Sequence, residues 1–348
     1  MRICFVHKLV FDYRVSFYAA LASRFEGGIT VAHSGRPMLA GFPMISEIII
    51  DETTIGPLIW QRGVSRLIAE HDVIVALFDA HYLSSFIHCI LRGSNKRWIW
   101  WGIGFGRSRV ANWLRVFLAN RSDGLALYMR ENFQPFIRAG VPTSLLFCAP
   151  NTIDVSEPFC VDDPNARTHF VFFGSLKRRK RVDLFFESFS RVTDRISNEI
   201  CIDVVGDGEC REELALLAQT LGLSNRITFH GNLTREADLR PIFRRAIAMV
   251  SPAQAGLSIL HSMGCGVPVV VSESAISGGE LANIKDDING FLYGFSGRHK
   301  SLDECLVHLA ICKMDALRLG KAAFLHYTQS MQLKHMVEAF EAIIRRGN

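Results

Sequence analysis

Handling an anion is the chemistry that the residue types in this chain can support. In Ile247 to Ser272, IAMVSPAQAGLSILHSMGCGVPVVVS, a glycine stands where a helix begins just after a strand ends. Amides at such a start have no partner within the helix and face outward with the positive end of its dipole. Gly256 and Leu257 could therefore cradle a phosphate. A strand–helix–strand unit with nothing bound has the same pattern. Lys177 to Arg181 is an unbroken run of five cations, able to neutralise an anion or simply solvated. Gly102-Ile103-Gly104-Phe105-Gly106-Arg107 is a second glycine loop, but its glycines fall only two apart, and no Gly-x-Gly-x-x-Gly follows the first strand. No Asp-x-Asp metal pair and no Ser/His/Asp or Cys/His arrangement stands out. The nine cysteines form no CxxC pair and read as reduced core residues, neither disulfides nor a zinc site.

The elements that must position these groups alternate along the chain. Strands are expected at 2–6, 29–32, 45–50, 72–77, 97–101 and 124–128, with helices at 14–25, 58–70, 83–91, 110–120 and 131–139. A polar, proline-broken stretch from Pro150 to Pro164 reads as a linker. The alternation then restarts, with strands at 170–173, 200–205, 227–229, 247–250 and 267–271. Helices are expected at 181–192, 209–221, 236–245 and 256–264, then near 301–319 and 331–346. This is an α/β chain of two doubly wound, Rossmann-like domains with mainly parallel sheets, an arrangement that places a cleft between them.

At 348 residues the chain has room for two domains, and with 49% hydrophobic and 21% charged residues it is globular rather than disordered. No apolar run is long enough to span a membrane, and Met1-Arg2 leads straight into a strand, so a cytoplasmic protein is expected. The net charge of +5 is uneven: the first 150 residues hold 16 Lys/Arg against 10 Asp/Glu, the remainder 23 against 24. No zinc finger, RNA-binding signature or concentrated basic helix supports nucleic acid. The helix over 110–120 carries Trp113 and Phe117 beside Arg109, Arg115 and Arg121. It either lies on an anionic membrane surface or, more commonly for such a helix, packs inward with its arginines snorkelling.

An ordered series of segments carries a resemblance. Phe173-Gly174-Ser175-Leu176-Lys177 through Asp183 is similar to a GRLxxxKG motif. Val204-Val205-Gly206-Asp207-Gly208, Phe229-His230-Gly231-Asn232-Leu233 and the Gly256 segment follow in order, after Pro150-Asn151-Thr152-Ile153-Asp154 and before Asn289-Gly290-Phe291. Together these resemble the donor half of retaining glycosyltransferases of the two-domain GT-B fold, family 4 in particular. More loosely, Asp12-Tyr13-Arg14-Val15 and Trp100-Trp101-Gly102-Ile103-Gly104 look like N-terminal segments of bacterial surface-polysaccharide members.

The resemblance implies an N-terminal acceptor-side domain over 1–154, a nucleotide-sugar-binding domain over 155–330, and a last helix within 331–348 crossing back to the first domain. It implies transfer of a sugar from a nucleotide-sugar donor to a glycan or lipid-linked acceptor, with no metal and no cofactor beyond the donor itself. Lys180 falls at the family's phosphate-binding lysine, and with His261 it takes the catalytic assignment. Gly174, Ser175, Gly206, His230, Gly231, Gly256, Leu257 and Glu280 join these two on the donor side; Tyr13, Arg14, Trp101 and Gly102 are acceptor-side candidates. A peripheral position at the inner face of a membrane fits the basic, tryptophan-rich first half.

The departures from the pattern bear on activity. The family's arginine is Ser175, which loses a bidentate phosphate contact that Arg178, Arg179 or Arg181 could replace. The family's paired glutamates fall at Ala253 and His261. A neutral His261 can accept a ribose hydrogen bond through one nitrogen, and a protonated one can donate to phosphate; a histidine packed beside Met263 is the plain alternative. Ile103 stands where many members have a histidine. Two rival functions remain open: a catalytically degenerate nucleotide-sugar-binding module, and a nucleotide-sugar epimerase of the same fold.

Overall fold

The computed structural model describes residues 1–106, 108–294, 297 and 299–346. Arg107 of the second glycine loop and the last two residues of the 331–348 segment lie outside the described residues. The chain divides into two compact units, Met1–Asp154 with Leu333–Asn348, and Val155–Gln332.

The first unit is built on β1 (Ile3–Val6), β2 (Ile29–His33), β3 (Ile45–Ile49), a hairpin of β4 (Glu52–Ile55) and β5 (Leu58–Gln61), β6 (Val73–Leu77), β7 (Arg97–Gly102), β8 (Gly124–Leu127) and β9 (Leu146–Cys148). Apart from the hairpin these form one parallel sheet in the order β3-β2-β1-β6-β7-β8-β9. Side chains alternate between its faces, as the two-residue period requires. Ile3, Phe5, Val73, Val75, Ile99 and Trp101 enter one core, and Cys4, Val6, Ile74, Ala76, Trp98 and Trp100 the other. Helices α1 (Val15–Ala22) and α12 (Leu333–Arg345) cover the first face; α2 (Val64–Glu70), α3 (Leu83–Leu91), α4 (Arg109–Asn120) and α5 (Phe133–Arg138) supply the second.

The second unit carries β10 (His169–Phe173), β11 (Cys201–Val205), β12 (Ile227–Gly231), β13 (Ala246–Ser251), β15 (Val269–Ser272) and β17 (Gly290–Tyr293), all parallel, in the order β12-β11-β10-β13-β15-β17. Numbered by position in that sheet this is 3-2-1-4-5-6, the doubly wound dinucleotide-binding order, with its reversal between β10 and β13. A small parallel pair, β14 (Gln254–Ala255) and β16 (Ile276–Ser277), lies beside it. The helices are α6 (Val182–Arg191), α7 (Arg211–Thr220), α8 (Glu236–Arg244), α9 (Ser258–Gly264), α10 (Leu302–Ile311) and α11 (Lys313–His326).

Three expectations are corrected. The helix expected over 58–70 is half hairpin: Thr53, Thr54, Ile55, Ile59 and Trp60 favour strand, Gly56 makes the two-residue turn at φ 58°, and Gly63 at φ 84° delays the helix to Val64. The long helix expected near 301–319 is two, parted at Cys312; a reciprocal Ser301–Glu304 capping box starts the first. Around Asn289-Gly290 the chain enters an unexpected edge strand, β17. Buried Asn289 braces that entry, accepting from Lys285 N (2.8 Å) and donating to Asn283 O (2.9 Å).

Within the first unit α12 is a core element: Phe340 is fully buried, with ring centroids 4.8 Å from Trp101 and 5.2 Å from Phe17. Phe340→Ala should cost about 3–5 kcal/mol through lost contacts and an uncollapsed cavity. Urea unfolding with probes in each unit should show the loss confined to the transition of the first.

Candidate functional site

The carboxyl ends of β10 and β13 are where a doubly wound sheet opens a crevice for ligand. After β10 the chain passes Gly174 and Ser175 into a single turn, Arg178–Lys180, then a left-handed Arg181 (φ 52°) that starts α6. This turn brings Lys180 back over the crevice. Its Nζ donates to the Gln254 carbonyl (3.2 Å), and lies 3.6 Å from where a Cβ on Gly256 would stand. Half-buried there, Lys180 has its pKa lowered by burial and then by Arg179, against an opposing pull from Glu280. It is therefore a desolvated cation with an appetite for a negative partner.

Glycines let the neighbouring loops stack at this edge. Gly206 has φ 129°, and a Cβ there would fall 1.9 Å from the Gly174 carbonyl oxygen. Gly174 N donates to Val205 O (2.9 Å), Leu176 N to Asp207 O (2.9 Å), and Gly206 N to Gly231 O (2.7 Å). Gly174, Gly206 and Gly231 are thus brought together as three layered loop starts. Ser175 lies in the first, adjoining this contact.

Of the cations that could stand in for the missing arginine, two are committed. Arg181 pairs with Asp183 (2.8 Å) and Arg178 with Glu213 (3.5 Å). Among the described residues Arg179 has no acidic partner in an ion pair, and its charge is felt at Lys180. Glu280, expected on an open loop, is buried: its carboxylate accepts from Gly278 N (2.9 Å) and Ser277 Oγ (3.1 Å). Gln254, which carries no motif, offers a buried Oε1 with no partner among the described residues. Its only sequence signal is its position just past the central strand β13.

Other candidates are bound up in the fold. His261 is 2% exposed, wedged between Phe173 (5.1 Å) and Phe243 (4.9 Å), with Nε2 buried and without a partner among the described residues. Burial pushes its pKa down to about 4, so of the forms the sequence left open this environment favours the neutral imidazole. His230 donates from Nε2 to fully buried Asp203 (2.7 Å), which also receives Arg245 at 2.8 and 2.9 Å. That nitrogen braces the sheet. Gly256 and Leu257 precede a helix that begins only at Ser258 and runs seven residues, fewer than the pattern implied.

In the first unit, Tyr13, Arg14 and Trp101 converge where β1 and β6 reverse the strand order, in a cavity of about 200 Å³ that His7, Tyr18 and Tyr128 also line. Gly102 is not in that lining; it is buried against Phe78, whose Cβ would be 3.1 Å from a Cβ at Gly102. The Gly106 amide is taken by Asn112 Oδ1 (2.8 Å), which closes one donor of the second glycine loop. Elsewhere His308, Cys312 and Asp315 place ligand atoms within 4.8 Å of one another, but His308 already pairs with Asp315 (2.8 Å) and Arg318 also reaches that carboxylate (3.3 Å).

Comparison with known proteins bears on the second unit first. Residues 167–309 match the family model described as glycosyl transferases, group 1. Curated protein sequences return no match. Among solved structures, the chain is similar to Anabaena HepE in complex with UDP (16% identity, 99% of each chain, TM-score 0.73). It is also similar to a glycosyltransferase from Rickettsia africae (14%, 99% of each, 0.74) and to sucrose-phosphate synthase from Thermosynechococcus elongatus (15%, 99% of this chain and 98% of the other, 0.72). At these identities the likeness is one of fold, and the fold is GT-B: two Rossmann-like units.

This geometry generates two predictions. Gly206→Ala places a methyl inside the Gly174 carbonyl at a left-handed φ, and should lower stability by more than about 2 kcal/mol in urea unfolding. The His261 pKa is depressed in the fold, so the unfolded chain takes up a proton that the native state refuses. Stability from this group is full above the ordinary value of 6.5 and falls as pH drops toward 4. His261→Phe should flatten that fall by up to about 3 kcal/mol, at about 1.4 kcal/mol per pH unit.

Proposed function

We propose that the chain is a glycosyltransferase that moves a sugar from a nucleotide-sugar to a glycan or lipid-linked acceptor, with anomeric configuration retained and no metal required. The observation that carries this is Lys180, held over the reversal point of the second sheet within the segment that matches group 1 glycosyl transferases. As the glycosyl bond breaks, negative charge grows on the departing diphosphate. A cation already desolvated and fixed by the Gln254 carbonyl stabilises that charge without reorganising. Arg179 adds a second positive charge, and Gln254 and Glu280 offer acceptors for hydroxyl groups. Because HepE is described in complex with UDP, uracil is the first base to test.

The first unit would hold the acceptor. No helix among the described residues is long and apolar enough to cross a membrane. Helix α4 nonetheless leaves Val110 and Trp113 78% and 70% exposed while burying Leu118 and Ala119, and Arg121 lies over the Phe117 ring. We read it as a peripheral anchor for an anionic leaflet, on the cytoplasmic side. A second reading, a module that binds donor without transferring sugar, is favoured by the Ala253 substitution and by the sequestered, neutral His261.

Melting with UDP, GDP, ADP and CMP, free and sugar-linked, tests the donor assignment. At about a hundred times its dissociation constant the correct nucleotide should add roughly 2.7 kcal/mol. Lys180→Ala should abolish the shift and Arg179→Ala reduce it, with unliganded melting unchanged; absence of any shift would remove the basis for the reading. Donor binding without transfer or hydrolysis, over a broad acceptor panel, would select the binding module. In flotation with liposomes containing phosphatidylserine, the protein should float and Trp113→Ala should bind several-fold more weakly; no flotation of the parent would end the anchor proposal.

A further inference from the structure

The cavity at the reversal point of the first sheet holds an unusual set of unsatisfied groups. His7 leaves β1 into it, 8% exposed, with Nε2 buried and no partner among the described residues. Trp101, 2% exposed at the end of β7, has Nε1 in the same condition. The two rings meet edge to face at 4.7 Å, and both side chains line the same cavity. A buried polar atom left unbonded is destabilising, and two beside one void call for an explanation.

Arg14 adds charge. The residue is 7% exposed, and its guanidinium lies 4.8 Å over Trp101 and 5.2 Å over Tyr13. Nη1 points to Met336 Sδ (3.1 Å) and Nη2 to Asn151 Oδ1, both neutral. Among the described residues no carboxylate forms an ion pair with it, and the cavity lining contains no acid but does contain Lys8. An arginine this deep without a counter-charge is uncommon, because burial of an unpaired charge is strongly opposed. His7 does not relieve it: burial, then Arg14 and His33, push its pKa down to about 3, so it is a neutral imidazole offering one donor or one acceptor at its free nitrogen.

We propose that this cavity is a binding site for a sugar ring carrying an anionic group, with Arg14 taking the anion and His7 and Trp101 meeting its hydroxyls. Volume and walls agree with one ring. About 200 Å³ is smaller than the roughly 300–1,000 Å³ that holds a drug-sized ligand. Tyr13, Tyr18, Trp101 and Tyr128 give it aromatic faces, against which the C–H face of a pyranose packs while its hydroxyls reach the polar tips. A free inorganic anion would leave the aromatic walls and the two orphaned nitrogens unused, and a neutral sugar would leave Arg14 without a counter-charge. Only the name of this ligand as the acceptor's terminal unit rests on the transferase reading; the site itself stands on its own geometry.

The test is calorimetry on the full chain with four probes: D-glucuronate, D-glucose 1-phosphate, D-glucose and inorganic phosphate. One or both of the first two should bind at least about ten-fold more tightly than the last two, since each newly satisfied buried group contributes a factor of that order. Glucuronate against glucose 1-phosphate tells a carboxylate from a phosphate. Arg14→Met should erase the preference for the anionic sugar over glucose, and Arg14→Lys, which keeps the charge if the first variant unfolds, should retain part of it. His7→Phe, which keeps the ring and removes both nitrogens, should weaken the anionic sugar about ten-fold while leaving the melting temperature equal or higher. Failure of both anionic sugars to bind, equal binding of all four probes, phosphate binding as tightly as its sugar ester, or affinities indifferent to Arg14 and His7 would each overturn the proposal. Lys180→Ala separates it from the donor reading: sugar-acid binding should persist in that variant, and if the parent chain binds the sugar acid while no nucleotide stabilises it, the donor assignment fails and this site stands.

Discussion

The closeness of two backbones, Gly206 against the carbonyl of Gly174, is the constraint on which the second unit's site depends. Only a residue without a Cβ can occupy that position at φ 129°, and its presence lets the loops after β10, β11 and β12 share hydrogen bonds rather than splay apart. With those loops layered, the chain after Gly174 is free to make its single turn, and that turn carries Lys180 onto the Gln254 carbonyl. The lysine thus owes its position to glycines that do no chemistry themselves. The sheet beneath supports the same edge: buried Asp203 gathers His230 and Arg245, tying β11 to β12 and to the chain entering β13.

How much of this was legible in the sequence varies with the physical origin of each feature. The two runs of alternating strands and helices and the parallel sheets they form follow from apolar periodicity, and they were readable. The β4–β5 hairpin was not, because Leu58-Ile59-Trp60 is as apolar as a helix face and only Gly56 and Gly63 mark it otherwise. The edge strands β9 and β17 escaped for a related reason: a run of three or four residues at a sheet edge has too little period to detect. For the site, Lys180 and the glycines carried a family spacing, whereas Gln254 and His7 carry none. Their importance lies in one buried side-chain atom each, Gln254 Oε1 and His7 Nε2, left unbonded among the described residues, a property of the packed chain that no spacing records.

The two units use one topology for opposite surroundings. At the reversal point of the second sheet the walls are glycines and backbone carbonyls under a half-buried lysine, a surface that complements charge with few contacts of its own. At the corresponding point of the first sheet the walls are aromatic, and the polar groups are deeply buried among them. The difference begins with the two residues just past the first strand of each sheet: Gly174-Ser175 in one, His7-Lys8 in the other. Glycine admits close backbone approach, so that loop folds over its neighbours; His7 and the rings behind it hold the other open as a walled cavity.

The substitutions in the donor segment also have a consistent sense when read as charge. Relative to the pattern the segment resembles, Ser175 removes one positive charge, while Ala253 and His261 remove two negative ones, since His261 is held neutral by its aromatic cage. The balance leaves the crevice more positive than the pattern would, a change in the sense that the proposed diphosphate site at Lys180 and Arg179 would need. What the exchange gives up is two carboxylate acceptors, one on α9 at His261 and one just ahead of β14 at Ala253. Acceptors remain at the crevice on other residues: Glu280, fixed by Ser277 and the Gly278 amide, and the unpartnered Oε1 of Gln254. On the proposed reading, grip on the phosphates and orientation of the sugar would therefore be separable. The first would rest on Lys180, which the fold holds at the Gln254 carbonyl, and the second on Gln254 and Glu280, of which only Gln254 carries no signal in the sequence.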